Sequence, residues 1–186
     1  MLRTLTVTLA LFFTPLLLLA QQLQESTVVH AAFSDFANLH PIVVHLPVVL
    51  LPLALLTQVA SFFGWSKPLG WVTLAALAGG VAGAILAVTL THPHTQNLNP
   101  ATQQVLGLHD TYADWTLWLS VAALVAKALS LWLLPDRRWL EWIVVLLLAG
   151  TAYAVTMTGH YGGTLVYIHG VGVQGNFVEG DAETNH

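Results

Sequence analysis

Cysteine is absent from this 186-residue chain. That removes disulfides, iron–sulfur clusters, thiolate zinc sites and covalently attached haem from consideration. Charge is nearly absent too: 8% of residues are Asp, Glu, Lys or Arg, where a soluble domain carries about 25%. So few ionised groups cannot cover the surface of a water-soluble globule of 20.1 kDa, and a soluble enzyme is excluded. Lysine and arginine together number five, and nucleic acid is not an expected partner. What is present is a 56% hydrophobic composition and nine histidines. A mean hydropathy of +0.72 makes the bilayer the expected solvent.

The hydrophobic runs predict an all-α integral membrane four-helix bundle, preceded by a signal peptide or a fifth hydrophobic helix. Leu5–Ala20 follows Arg3 and is short for a span, with the shape of a signal peptide; residues 1–31 form this leader or anchor. Four longer runs follow: Pro41–Phe63, Leu69–Leu90, Asp110–Leu134 and Trp139–Thr158. Each holds about 20–25 residues, enough to cross a bilayer with some tilt. Breaks fall at Gly64-Trp65-Ser66-Lys67-Pro68, in the loop His92–Gly107 and at Pro135-Asp136-Arg137-Arg138. The membrane domain is expected over 38–175, with a flexible C-terminus at 176–186.

Lys67, Arg137 and Arg138 fall in loops on one side, and Lys127, near the end of the third run, is expected to snorkel to that side. Glu25, Asp35, Asp110, Asp114, Glu179, Asp181 and Glu183 fall on the other. The basic side reads as cytoplasmic. Every histidine then lies at or beyond the opposite edge: His40 and His45 at the start of the first run, His92 and His94 after the second, His109 at the third, His160 and His169 after the fourth, with His30 and His186 outside.

Several of these histidines are candidates for a site. His45 lies one turn into an apolar helix, and a polar ring at that depth needs a partner: a ligand, or a nearby backbone carbonyl. His109 heads a stripe of Ala113, Thr116, Ser120, Ala123 and Lys127 that suits the inside of a bundle, with Tyr112 and Asp110 near enough to orient its ring. On the fourth run, Gly150, Tyr153, Met157 and His160 share one side, expected to face inward. Gly79, Gly80 and Gly83 on the second run, with Ala76 and Ala87, suit either close helix packing or room for a flat macrocycle. The glycine-rich stretch Gly159–Val173 reads as non-helical, a segment folding back over the bundle mouth, or else a loose exit from the membrane.

Convergent imidazoles at one end of a bundle are a ligand arrangement. Haem iron takes two axial histidines, bundle cores hold such groups between facing helices, and a noncovalent haem would be haem b. The candidate cofactor-binding residues are His40, His45, His109, His160 and His169, with His45, His109 and His160 as iron ligands. A copper or zinc site from His92, His94, His109 and His160 is a competing reading, and a cofactor-free membrane anchor for a redox or secreted partner is another.

The motif His40-Pro41-Ile42-Val43-Val44-His45-Leu46-Pro47-Val48-Val49-Leu50-Leu51 resembles the opening of a bacterial four-helix predicted membrane protein family, domain of unknown function 2231. Leu108-His109 resembles that family's mid-chain histidine. Gly159-His160-Tyr161-Gly162-Gly163-Thr164-Leu165-Val166-Tyr167-Ile168-His169-Gly170-Val171-Gly172-Val173 resembles its closing motif. The resemblance runs from about residue 38 to 173; its end motifs are specific and its middle is generic apolar sequence. Members often accompany cytochrome c-like domains. That association implies redox work, with a periplasmic cytochrome c or quinol as partner, a larger membrane redox complex around it, and the bacterial inner membrane as location. The expectation is an electron-transfer subunit rather than a stand-alone enzyme.

Overall fold

The computed structural model describes residues 39–91, 95, 97–135 and 137–172, all within the compact unit Ala37–His186. The leader at 1–31, His92-Pro93-His94 and the C-terminus at 176–186 lie outside the described residues. Among the described residues five helices form: α1 (His40–Val43), α2 (His45–Ala60), α3 (Ser66–Thr89), α4 (Pro100–Trp132) and α5 (Arg138–Tyr167). α1 and α2 make one span, His40–Ala60, so four helical segments are long and apolar enough to cross a membrane. The break between them falls at Val44, where Pro47 has no N–H to offer the Val43 carbonyl. The helices pack in a closed ring, each span against its sequence neighbours and α5 against α2.

Apolar association supplies no drive in lipid, so helices meet where side chains are small. α3 shows this most clearly. A β-carbon added at Gly80 would lie 2.5 Å from Leu51 Cδ2, and one at Gly83 would lie 2.5 Å from Leu46 Cβ and 2.8 Å from Pro47 Cδ. These glycines serve close packing against α2. Ala123, Ala126 and Ala154 do the same on α4 and α5, around a core of Leu51, Leu77, Val144 and Leu148.

Aromatic rings mark two levels. At one end Phe62 stacks on Trp142 and Trp71 meets Trp132 edge to face. At the other, Tyr112 stacks on Tyr161 and touches Trp115 and Tyr153. From Tyr112 to Trp132, and from Trp142 to Tyr161, a helix rises about 30 Å, the thickness of a hydrocarbon core between interfacial belts. α4 and α5, at 33 and 30 residues, extend past the tyrosine belt at the same end.

Three expectations are corrected. α4 starts at Pro100, not at Asp110. Asn99 is its N-cap, accepting from Thr102 N–H at 2.9 Å, with proline in the first turn; hydropathy finds the apolar stretch of a helix, while the cap sets its start. α5 runs through Gly159, Gly162 and Gly163 to Tyr167 rather than stopping at Thr158. Glycine costs about 1 kcal/mol in a helix, and the helix nonetheless continues through all three. Lys127 does not snorkel. It is 2% exposed, and its Nζ donates to Glu141 Oε2 at 2.7 Å. Gln58 Nε2 donates to the same oxygen at 2.6 Å, so α2, α4 and α5 are tied together at the end away from the histidines.

Removing one partner of a buried pair strands the other charge. Lys127→Ala should therefore lower stability by about 3 kcal/mol or more, and Lys127→Met combined with Glu141→Gln should recover much of that loss. Chemical unfolding in detergent, monitored by helical circular dichroism, measures both.

Candidate ligand cavity

At the tyrosine-belt end the four spans part around a cavity of about 840 Å³, within the range of small-molecule and cofactor sites. Its walls are apolar and small: Pro41, Val44, Pro47 and Val48 from α1 and α2, Ala84, Ala87 and Val88 from α3, Ala113 from α4, and Val155, Gly159, Gly162, Gly163 and Leu165 from α5. The polar groups on the wall include His40, His109, Thr116 and Thr158. The small face of α3 thus has two uses at two levels. Gly80 and Gly83 admit α2, whereas Ala84 and Ala87, higher up, leave open space.

His109 is fixed by α5. Its Nδ1–H donates to the Thr158 carbonyl at 3.0 Å, which leaves Nε2 as the lone-pair nitrogen. The ring lies so close to α5 that a β-carbon on Gly162 would sit 3.3 Å from His109 Cε1 and 3.4 Å from Nδ1. The backbone of α5 orients this imidazole. Tyr112 is engaged instead with Tyr153 and Tyr161. Below the ring, Thr116 and Thr158 place their hydroxyls 3.4 Å apart. Each donates to the carbonyl one turn back on its own helix, Tyr112 and Ala154.

His40 opens α1, and it lines the same cavity. Its ring centre lies 6.4 Å from that of His109, with the planes at 65°. These are the two candidates that the fold brings together.

The other three are placed elsewhere. His45 is exposed, off the cavity wall, and its Nδ1–H donates to the Pro41 carbonyl at 2.6 Å. His160 is exposed and packs edge to face on Tyr161. The expected inward stripe of Gly150, Tyr153, Met157 and His160 is corrected accordingly: Tyr153 is 56% exposed. The buried face of α5 runs through Leu140, Val144, Leu148, Thr151 and Val155, and continues to Thr158 and Gly162 at the cavity. With apolar residues on both faces, hydropathy could not fix the rotation of this helix. His169 lies past α5, where its Nδ1 pairs with Thr102 Oγ1 at 3.0 Å.

The stripe Ala113, Thr116, Ser120, Ala123, Lys127 does face inward. Among the described residues, no group of three or more His, Cys, Asp or Glu gathers where it could hold a metal ion. The sequence reading missed Thr158 and Gly162; the signal was present in their spacing from Val155, one helical turn and then another.

The fold and cavity define a multi-pass helical membrane protein with a recess at its histidine-bearing end. The family model for the predicted membrane proteins DUF2231 matches residues 37–175, and the chain belongs to that family. Comparison with curated proteins and with solved structures gives no match.

Gly162→Ala should press the His109 ring away from α5 by a few tenths of an ångström and weaken its bond to the Thr158 carbonyl. Nitrogen-15 NMR of the imidazole would then show the Nδ1–H form giving way to mixed tautomers. Gly163→Ala, whose added carbon meets nothing within 4 Å, should leave the spectrum unchanged.

Proposed function

We propose that this protein is a b-type haem-binding electron-transfer subunit, its haem held in the cavity between His40 and His109. The observation that supports this reading most is the separation of those two rings, 6.4 Å between centres. Imidazoles on opposite sides of one metal, each with its nitrogen about 2 Å from it, have ring centres roughly 6 Å apart.

The character of the walls favours the same group. Two imidazoles in a recess of small apolar residues suit an iron whose remaining ligands come from a flat macrocycle. A tetrahedral zinc site needs four ligands. Of the residues in the copper or zinc reading, His160 is turned away from the cavity. His109 suits iron chemically: its Nδ1–H is held by a backbone carbonyl, so a neutral imidazole presents Nε2, with no net charge brought toward lipid. Pro41, Val44, Ala84, Ala87 and Val155 give the site an apolar lining. Haem, when bound, supplies a one-electron carrier.

Lys67, Arg137 and Arg138 favour a cytoplasmic location for the far end of the bundle. The cavity then opens at the outer face of the bacterial inner membrane. A periplasmic cytochrome c or a quinol is the fitting redox partner there, within a larger membrane complex. Among the described residues no line of ligands leads to the opposite face, so electrons are exchanged on one side.

The test is a reduced-minus-oxidised spectrum of the purified protein with its haem-to-protein ratio. Soret and α bands are expected in the wild type, lost in His40→Ala and His109→Ala, and kept in His45→Ala, His160→Ala and His169→Ala. A colourless, stable protein that copurifies with a redox subunit would refute the haem reading and make the chain an anchor.

A further inference from the structure

Beyond Tyr167 the chain turns back on itself. Gly170 has φ +66 and Gly172 φ +80, conformations that glycine adopts freely and most residues do not. The Gly170 N–H bonds the Val166 carbonyl at 3.1 Å and the Val171 N–H bonds the Leu165 carbonyl at 2.9 Å. This reversal carries Val171 and Gly172 onto the cavity wall. It buries little on the way: Tyr167 and Ile168 are 81% and 75% exposed.

The fastening is polar and specific. Thr102, in the first turn of α4, is 2% exposed. Its Oγ1–H donates to Asn99 Oδ1 at 3.0 Å, so its oxygen accepts from His169 Nδ1–H at 3.0 Å. One hydroxyl therefore joins the helix cap of α4 to the reversal, across 67 residues of sequence. A threonine buried in the first turn of a helix that extends past the tyrosine belt has no packing reason to be polar, yet a valine of the same shape could not make this bond. The weak burial of Tyr167 and Ile168, which join the reversal to α5, makes opening there inexpensive.

From this we infer that the segment Ile168–Gly172 is a latched lid on the cavity, with Thr102 as its catch, and that an apolar ligand enters and leaves when the lid swings away. The role of His169 is then to close the site, not to ligate in it. This deepens the haem reading, because it rests on the cavity being a ligand site and adds the route by which that ligand exchanges.

The chain has no cysteine, so a single introduced thiol reports the lid without background. Val171→Cys in lipid nanodiscs should react slowly with a maleimide. Adding Thr102→Val should raise the rate roughly three- to tenfold, the effect of losing one side-chain hydrogen bond. Thr102→Ser should not change it, and His169→Phe, which removes the same bond from the other side, should match Thr102→Val. The exposed control Ile168→Cys should react at one rate in all backgrounds. Hemin is the second probe: its dissociation, followed by transfer to apomyoglobin, should quicken by a similar factor in Thr102→Val and His169→Phe.

Unchanged Val171→Cys labelling in both variants overturns the lid. Faster labelling with an unchanged hemin dissociation rate overturns it as the ligand route. Faster labelling in a protein that binds no hemin at all keeps the lid and removes the haem reading instead.

Discussion

Everything in this bundle depends on where α3 can come close to its neighbours. Lipid gives two apolar helices no reason to associate, so contact is decided by the size of the side chains between them. At Gly80 and Gly83 there is no room even for a methyl group, and α3 lies directly on Leu46, Pro47 and Leu51. One turn further along, the same face carries Ala84 and Ala87, and the helices part to leave the recess. Contact and cavity are thus consecutive parts of one sequence, Gly79-Gly80-Val81-Ala82-Gly83-Ala84-Ile85-Leu86-Ala87, read at two heights.

The polar residues divide between the two ends of the bundle. At one end Lys127, Glu141 and Gln58 bind three helices into a fixed frame. At the other, the polar groups that line the recess are imidazoles and hydroxyls, which need no counter-ion when neutral. An ion pair in lipid is costly to break, whereas a neutral histidine held by one carbonyl can be presented to an incoming group at little cost. The first end gives the bundle its rigidity, and the second leaves it able to accommodate something.

The sequence made the four spans legible, because long apolar runs separated by charged or proline-containing breaks have few other readings. It also made legible the inward stripe of α4, where small and hydroxyl residues interrupt an otherwise uniform surface. The rotation of α5 was not legible. Tyr153 and His160 look like members of an inner face by spacing, but Val155, Thr158 and Gly162 occupy it, and hydropathy is similar on both sides. Helix ends were hidden for another reason: Asn99-Pro100 and Gly162-Gly163 resemble a loop to a reader of composition, while Asn99 is a cap and Gly162 makes room for a ring. Of the histidine candidates, His40 and His109 are brought together, and that outcome depended on the rotation of helices that composition leaves open.

That same dependence gives the small stripes a weight beyond packing. Inserting a single residue into α4 between Thr116 and Lys127 would leave its apolar length and its crossing of the bilayer intact. It would nonetheless turn everything on one side of the insertion by about 100° relative to the other. Either Lys127 would leave Glu141 or His109 would leave the recess. The two ends of the bundle are therefore geared to each other through the register of one helix. This stretch can exchange one apolar residue for another with ease but cannot change its length, so its history should be written in substitutions rather than in insertions or deletions.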